Sequence, residues 1–165
     1  MKKTNEYLKY SIFFVLIFLC IGYANQNNKY YGFSYNQYKK LCSCDSRLIA
    51  LFAEVNKTFP CIIVCGYRNE ADQNKSHNQN KSRFRYPNSK HNTVPALAID
   101  VMPCGIYQSI DWKDRTRITY FAGFVKGIAF QMGINITWGG DWDNDTDLRD
   151  NKFNDLAHYE LSNPL

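Results

Sequence analysis

Apolar side chains recur along this chain with two different periods, and each period predicts one kind of element. After a cap at Asp45 or Ser46, they recur at steps of three and four residues through Val55, which predicts an amphipathic helix ending at Pro60. The same spacing predicts a second amphipathic helix over residues 112–132. Short β-branched or alternating apolar segments predict four strands, at residues 61–66, 96–102, 134–138 and 157–161.

Three segments lack such a period and are expected to be irregular. Residues 25–45 are polar and rich in tyrosine, and predict a linker. Residues 69–90 hold few apolar side chains and predict a long surface loop, which in a compact domain is often functional. Residues 141–155 predict an acidic loop. The order of helices and strands predicts an α+β fold in which helices pack on a small, mainly antiparallel sheet.

The first 24 residues have the composition of an export segment. Lys2, Lys3 and Lys9 precede an apolar run over residues 11–24, which is shorter than the about 20 residues that span a bilayer. Small residues near Ala24 suit a cleavage site. We therefore expect residues 1–24 to be a signal peptide or a signal anchor. The protein would then be exported, would face the periplasm or the cell wall, and would stay associated with the membrane if cleavage fails.

Composition and charge limit the remaining classes. With 45% hydrophobic and 16% aromatic residues, the chain can build a packed core, which we place in one domain over residues 46–165. The net charge of +5 comes without any dense block of Lys and Arg, so the sequence argues against a nucleic-acid-binding protein. We expect a monomer.

Six cysteines are spread along the chain: Cys20, Cys42, Cys44, Cys61, Cys65 and Cys104. Removal of residues 1–24 would leave five, an odd number that cannot all pair within one chain. Three alternatives remain open for them. They could form a four-thiolate zinc site, although the spacings differ from those of the usual zinc ribbons. They could form one or two disulfides, which an oxidising compartment permits, or remain buried free thiols.

The most informative polar residues are two histidines and two aspartates. The chain has only three histidines, and His91 and His158 lie within reach of the predicted strands. Asp100 stands between two apolar residues of a strand, where a carboxylate is costly to bury unless it is paired or binds a metal. Two imidazoles and one carboxylate can hold a zinc ion, and Asp155, three residues before His158, can serve as the base that a catalytic zinc site needs.

These residues belong to four ordered motifs: Gly66-Tyr67-Arg68 with Gln73, Ser89-x-His91 with Ala98-x-Asp100, Trp138-Gly-Gly-Asp-Trp142, and Asp155-x-x-His158-Tyr-Glu160. By these motifs the chain resembles the D-Ala-D-Ala metallopeptidases over residues 48–161. That family includes vancomycin-resistance dipeptidases and phage L-alanyl-D-glutamate peptidases, and it shares the Hedgehog-type zinc fold. The run from Trp138 to Trp142 favours the phage branch.

The resemblance implies a role for each matching residue. His91, Asp100 and His158 would be the ligands of a single zinc ion. Asp155 would be the general base, and Arg68 would stabilise the oxyanion that develops on the substrate.

Two further residues, Ser89 and Gln73, are implied to contact the substrate. His77, which lies in the predicted loop, is the alternative ligand should His91 not bind the metal. One spacing departs from the family pattern His-x-x-Gly-x-Ala-x-Asp, because Asp100 follows His91 by nine positions. We interpret the difference as a longer loop between them.

Two features near the last motifs have simpler interpretations. Asp141, Asp143, Asp145 and Asp147 alternate as in a calcium loop but lack the glycine and the final glutamate of an EF-hand, so a solvated loop is expected. The tryptophans of the Trp138–Trp142 run are expected to pack in the core or the turn.

Together these features predict a zinc-dependent peptidase that hydrolyses a bond in peptidoglycan stem peptides. The phage-like motifs favour an L-alanyl-D-glutamate endopeptidase, a phage- or prophage-type lysis enzyme. A D-Ala-D-Ala carboxypeptidase or dipeptidase is the alternative reaction. A non-catalytic, zinc-containing module that binds the cell wall is the alternative from another class, and the presence of the base Asp155 argues against it.

Overall fold

The computed structural model describes residues 30–105 and 109–162 of the 165-residue chain. Its centre is a four-stranded antiparallel sheet in the order β1-β2-β4-β3. The strands are β1 (Cys61–Cys65), β2 (Ala98–Pro103), β3 (Ile136–Trp138) and β4 (His158–Leu161). The helices are α1 (Tyr35–Leu41), α2 (Ser46–Thr58), α3 (Glu70–Asn78) and α4 (Arg115–Gln131), with a short 3-10 helix at Lys90–Asn92.

Helices α2 and α4 cover the sheet, and both confirm the predicted helices. The Asp45 carboxylate accepts a hydrogen bond from the backbone N–H of Arg47 and so caps α2. Asp114 caps α4 in the same way, by accepting from Arg117. Each helix buries one apolar face: Leu48, Leu51, Phe52, Ala53 and Val55 in α2, and Ile118, Phe121, Ala122, Val125 and Ala129 in α4.

The core lies between these helices and the two central strands. Tyr159 of β4 is fully buried, and its ring contacts Phe52 at 5.4 Å and Phe121 at 6.3 Å between centroids. Every residue of β2 is buried, as expected for a strand with neighbours on both sides. All four predicted strands are confirmed, with ends that differ by one or two residues.

The linker prediction is wrong for residues 35–41, which form helix α1. Ser34 caps this helix, and Leu41 at its end is fully buried. The side-chain oxygen of Gln37 accepts a hydrogen bond from the backbone N–H of Ile63, so α1 covers the free edge of β1. The packed domain therefore begins before residue 46. One buried leucine in seven residues leaves no apolar period by which the sequence could reveal this helix.

The surface-loop prediction for residues 69–90 is also wrong in part, because residues 70–78 form helix α3. Asn69 caps it by accepting a hydrogen bond from the backbone N–H of Asp72. Gln73 is its only buried residue, so hydrophobic periodicity could not reveal the helix. The longer segment between His91 and Asp100 has a structural use as well. It contributes Ala96, whose backbone exchanges hydrogen bonds with Ser43 and Asp45.

The five cysteines within the described ranges are free thiols. No disulfide joins them within the described residues. Burial raises the pKa of Cys44 to about 12 and also raises that of Cys61, so both are protonated and structural. Cys20 and the predicted export segment lie outside the described residues. Among the residues with assigned structure, no helix combines the length and apolar character that a membrane crossing requires.

We expect Tyr159→Phe to increase stability. The Tyr159 hydroxyl is buried, and within the described residues it has no hydrogen-bond partner, a state that costs about 1–3 kcal/mol. Removing it should raise the free energy of unfolding by about 1 kcal/mol, measured by urea denaturation. Tyr120→Phe is the matched control, since Tyr120 is 71% exposed. A clear loss of stability in Tyr159→Phe would show that the hydroxyl has a stabilising partner.

Candidate metal centre

Three predicted ligands converge at one end of the sheet. Asp100 of β2 lies directly opposite His158 of β4 in the antiparallel register, and His91 extends from the 3-10 helix towards both. The Nε2 of His91, the Oδ1 of Asp100 and the Nδ1 of His158 form a triangle with each side 3.2 Å long. All three residues are buried.

The partners of the outer ring nitrogens show which atoms carry protons. His91 Nδ1 lies 2.7 Å from the carbonyl oxygen of Gly66, so Nδ1 donates and Nε2 presents a lone pair. His158 Nε2 lies 3.1 Å from a carboxylate oxygen of Glu160, so it donates, and in the neutral ring, the form that binds a metal, Nδ1 presents a lone pair. With Asp100, three electron-rich atoms therefore face one another, an arrangement that a cation at their centre stabilises.

The dimensions of the triangle fit a zinc ion. In a tetrahedral zinc site with bonds of about 2.0–2.1 Å, neighbouring ligand atoms are about 3.3 Å apart. The observed separations of 3.2 Å match this value. Two imidazoles and one carboxylate also form a donor set typical of catalytic zinc, in which the fourth position is left for water or substrate.

The electrostatic state of the ligands agrees with a cation site. Burial opposes ionisation of Asp100, yet the adjacent His91 and His158 outweigh it and keep the pKa of Asp100 below its usual range. Burial likewise opposes protonation of His158, but hydrogen bonds to Asp100 and Glu160 raise its pKa to about 9. The negative potential that would retain a proton here also attracts a metal cation.

A second layer of residues holds the histidines in place. Glu160 accepts from His158 through one oxygen and, at 2.8 Å, from Lys90 Nζ through the other. Lys90 also donates to the carbonyl of Leu161 at 2.7 Å, so it ties the 3-10 helix to β4. Because Lys90 directly precedes His91, this clamp couples the two elements that carry the imidazoles. Such carboxylate–histidine–metal chains set ring orientation and ligand basicity.

The 3-10 helix is further fixed by its cap. The Ser89 hydroxyl accepts a hydrogen bond from the backbone N–H of His91, and Asn92 completes a capping box by accepting from the backbone of Ser89. Gly66, whose carbonyl orients His91, lies so close to Lys40 that a Cβ would overlap the Lys40 carbonyl oxygen. The requirement for glycine in that motif is therefore steric.

Asp155 lies beside the triangle. Its side chain and the ligand atoms of Asp100 and His158 lie within 4.8 Å of one another. Burial, followed by the charge of Asp100, raises the pKa of Asp155 above its usual range. The neighbouring turn sets its position, because the Asp155 backbone donates to Gly139 at 2.8 Å and a Cβ on Gly139 would overlap the Asp155 carbonyl. This carboxylate is well placed to accept a proton at the open side of the site.

Cys65 also comes close to the ligands, and sequence reasoning missed it. Its sulfur, His91 and Asp100 lie within 4.8 Å of one another, because Cys65 pairs with Asp100 across the β1–β2 ladder. Burial raises the pKa of this thiol, and a protonated thiol is a poor metal ligand. The alternative ligand His77 lies on α3, and the potential metal-binding groups of the described residues do not include it.

A cleft of about 330 Å³ opens in front of the site. Of the residues predicted to act there, Arg68, Ser89 and Asp155 line it together with His91 and His158. Gln73 does not line it.

Gln73 is fully buried, and its amide supports the cleft from behind. It accepts a hydrogen bond from Arg68 Nη1 at 3.1 Å and donates to the carbonyl of Phe84 at 2.6 Å. The predicted substrate contact by Gln73 is therefore replaced by a supporting role. Arg68 Nη2 in turn donates to Asp100 at 3.0 Å. One chain of hydrogen bonds thus joins the candidate metal site to the loop after α3.

Sequence reasoning also missed the wall of the cleft formed by Trp142, Phe153 and Arg83. The Trp142 ring lies 5.4 Å from that of His158, and its N–H donates to the carbonyl of Phe153. Trp142 belongs to a recognised motif, but Phe153 and Arg83 lie in loops without a period, so only the fold brings them together.

The acidic loop differs from its prediction at one residue. Asp141 is 2% exposed and forms an ion pair with Lys126 at 2.7 Å, whereas Asp143 and Asp145 are exposed. The solvated-loop prediction is therefore wrong for Asp141, whose carboxylate anchors the loop to α4. Trp138 is buried, which confirms its predicted packing role.

Comparisons with known proteins agree with this geometry. The family model described as phage L-alanyl-D-glutamate peptidase matches residues 30–162. Among solved structures, the chain is similar to the Serratia marcescens L-Ala D-Glu endopeptidase ChiX, with 20% sequence identity and a TM-score of 0.61. That likeness covers 79% of this chain and 89% of the other, and it confirms the predicted fold class. None of the curated proteins matches the chain.

We expect Glu160→Gln to weaken zinc binding by about 10- to 100-fold, the usual effect of altering a residue behind a ligand. The amide keeps the shape of the side chain but removes the charge that supports His158 and pairs with Lys90. Competition with a zinc chelator measures the affinity. Glu54→Gln is the matched control, because Glu54 forms only an exposed pair with Lys57. Equal affinities in all three proteins would contradict the role of Glu160.

Proposed function

The chain belongs to the phage L-alanyl-D-glutamate peptidase family, and we propose from this that it is a zinc-dependent enzyme that hydrolyses the L-alanyl-D-glutamate bond of peptidoglycan stem peptides. Membership confirms the resemblance inferred from the motifs and makes the chain a peptidase. The observation that carries the proposed mechanism is the triangle of His91, Asp100 and His158 with Asp155 beside it at the wall of a cleft.

In the proposed mechanism, His91, Asp100 and His158 would hold a zinc ion. Zinc in such a site polarises a carbonyl group and lowers the pKa of water. Asp155 takes the proton from the attacking water and passes it to the leaving amine. The raised pKa of Asp155 suits this role. A carboxylate whose pKa lies closer to the working pH is a stronger base, and after it has taken the proton it is present for longer as the acid that donates to the amine.

Arg68 and Ser89 would contact the substrate. The Arg68 guanidinium gives single hydrogen bonds from its Nη1 to Gln73 and its Nη2 to Asp100, which leaves further N–H donors for an oxyanion. The Ser89 hydroxyl accepts from the backbone of His91, so its own proton is available for a substrate oxygen. Both residues line the cleft.

We expect digestion of muropeptides by the full chain to separate the sugar-linked L-alanine from the rest of the stem. Mass spectrometry should show a released peptide whose new N-terminus is D-glutamate. Release of D-alanine alone would instead identify a D,D-carboxypeptidase or dipeptidase. Binding to cell walls without any new amine terminus would identify a non-catalytic module.

Asp155→Asn should lower the rate of this cleavage by about 100-fold or more while zinc content stays at the unaltered level. The amide matches the carboxylate in size but cannot take the proton. Asp143→Asn is the control, since Asp143 is exposed in the acidic loop. Full activity in Asp155→Asn would exclude Asp155 as the base.

Export is also part of the proposal, because peptidoglycan lies outside the cytoplasmic membrane. Support comes from the lysines and the apolar run of residues 1–24. Cell fractionation with N-terminal sequencing should find the protein outside the cytoplasm, either beginning near Asn25 or bound to the membrane. A soluble cytoplasmic protein that keeps its original N-terminus would contradict export.

A further inference from the structure

Four cationic side chains line the cleft, and they differ in whether they have partners. Arg68 is paired with Asp100, and Lys90 with Glu160. Lys81 and Arg83 form no ion pair with any residue in the described ranges 30–105 and 109–162. Two positive charges therefore stand beside the metal site without a carboxylate from the protein.

Arg83 is held in a defined place by aromatic rings. Its guanidinium carbon lies 4.6 Å from the centre of the Phe153 ring. Phe153 stacks on Trp142 at 6.4 Å, and Trp142 lies 5.4 Å from the metal ligand His158. A guanidinium that stacks through its face keeps its N–H groups free along its edge, where they can donate two parallel hydrogen bonds to a carboxylate.

The backbone on both sides of Arg83 is anchored by the buried amide of Gln73. Its Nε2 donates to the hydroxyl of Ser82 at 2.9 Å and to the carbonyl of Phe84 at 2.6 Å. The other end of the amide accepts from Arg68, which is bonded to Asp100. The position of Arg83 is therefore set relative to the metal ligands before any substrate binds, which reduces the entropic cost of binding.

Lys81 adds a second charge to the same wall. Its backbone N–H donates to the carbonyl of Ser76 at 2.9 Å, which ties it to the end of α3. It also lines a second cleft, which shares Phe153 and Asp155 with the first. An anionic group in front of Phe153 would be within the field of both cations.

We propose that Arg83, together with Lys81, forms a subsite that recognises the free carboxylate of the glutamate residue next to the scissile bond. The subsite rests on the proposed function, since it concerns the same cleavage. The free carboxylate of this glutamate is negatively charged, and a guanidinium that lies over an aromatic ring is a matching partner for it. The subsite thereby favours a stem peptide in which this carboxylate is free over one in which it is amidated.

The test compares two stem peptides that differ in one group. One carries the free carboxylate of its D-glutamate, and in the other this carboxylate is a carboxamide. The full, unaltered chain should cleave the carboxylate peptide with a kcat/KM about 10- to 100-fold higher, and the difference should arise mainly in KM. In Arg83→Gln this preference should largely disappear, because only the carboxylate peptide loses a partner. Lys81→Gln should reduce the preference by a smaller factor.

Arg85→Gln and Lys75→Gln are the matched controls, because both residues are exposed and lie outside the cleft lining. Both should keep the preference of the unaltered chain. Zinc content and the unfolding midpoint of Arg83→Gln should also remain unchanged, which separates lost recognition from lost structure.

Three outcomes would overturn the subsite. Equal cleavage of both peptides by the unaltered chain excludes it, however the variants fold. A preference that survives intact in both Arg83→Gln and Lys81→Gln assigns carboxylate recognition to other residues. Cleavage of neither peptide overturns the proposed function itself and the subsite with it, so the two failures are distinguishable.

Discussion

The structure depends on one electrostatic constraint, the convergence of three electron-rich atoms at 3.2 Å from one another. The Nε2 of His91, the Oδ1 of Asp100 and the Nδ1 of His158 are held there by hydrogen bonds on their far sides. In a buried, poorly solvated position, such an arrangement is unfavourable without a cation. The fold thus holds a set of potential metal ligands close together, and the sheet register that places Asp100 opposite His158 is the backbone basis of that arrangement.

Two connections transmit this constraint to the rest of the cleft. On one side, Lys90 and Glu160 connect the 3-10 helix, which carries His91, to β4, which carries His158. On the other, Arg68 and Gln73 extend from Asp100 to the loop after α3. The residues behind the ligands thus form hydrogen bonds with them and fix their orientation, and the same residues hold the loops that form the cleft.

The same layout separates two kinds of cation. Arg68 and Lys90 form ion pairs with Asp100 and Glu160, so their positive charges are largely neutralised by the protein itself. Arg83 rests on an aromatic ring, which stabilises its charge without occupying the hydrogen-bonding edge. This distinction shows how one small cleft can hold buried carboxylates and still present positive charge that no carboxylate of the described residues neutralises.

The sequence by itself determined the two long helices and the four strands, and its motifs singled out His91, Asp100 and His158, which the fold brings together. Those features leave local signals, namely apolar periods for α2 and α4 and short motifs around His91, Asp100 and His158. Helices α1 and α3 bury one residue each, Leu41 and Gln73, so neither has a hydrophobic periodicity from which the sequence could predict it. The supporting role of Gln73, the proximity of Cys65 and the wall formed by Trp142, Phe153 and Arg83 were decided by tertiary structure alone. They depend on contacts between segments that are distant in the chain, and a local sequence pattern does not predict which loops contact each other.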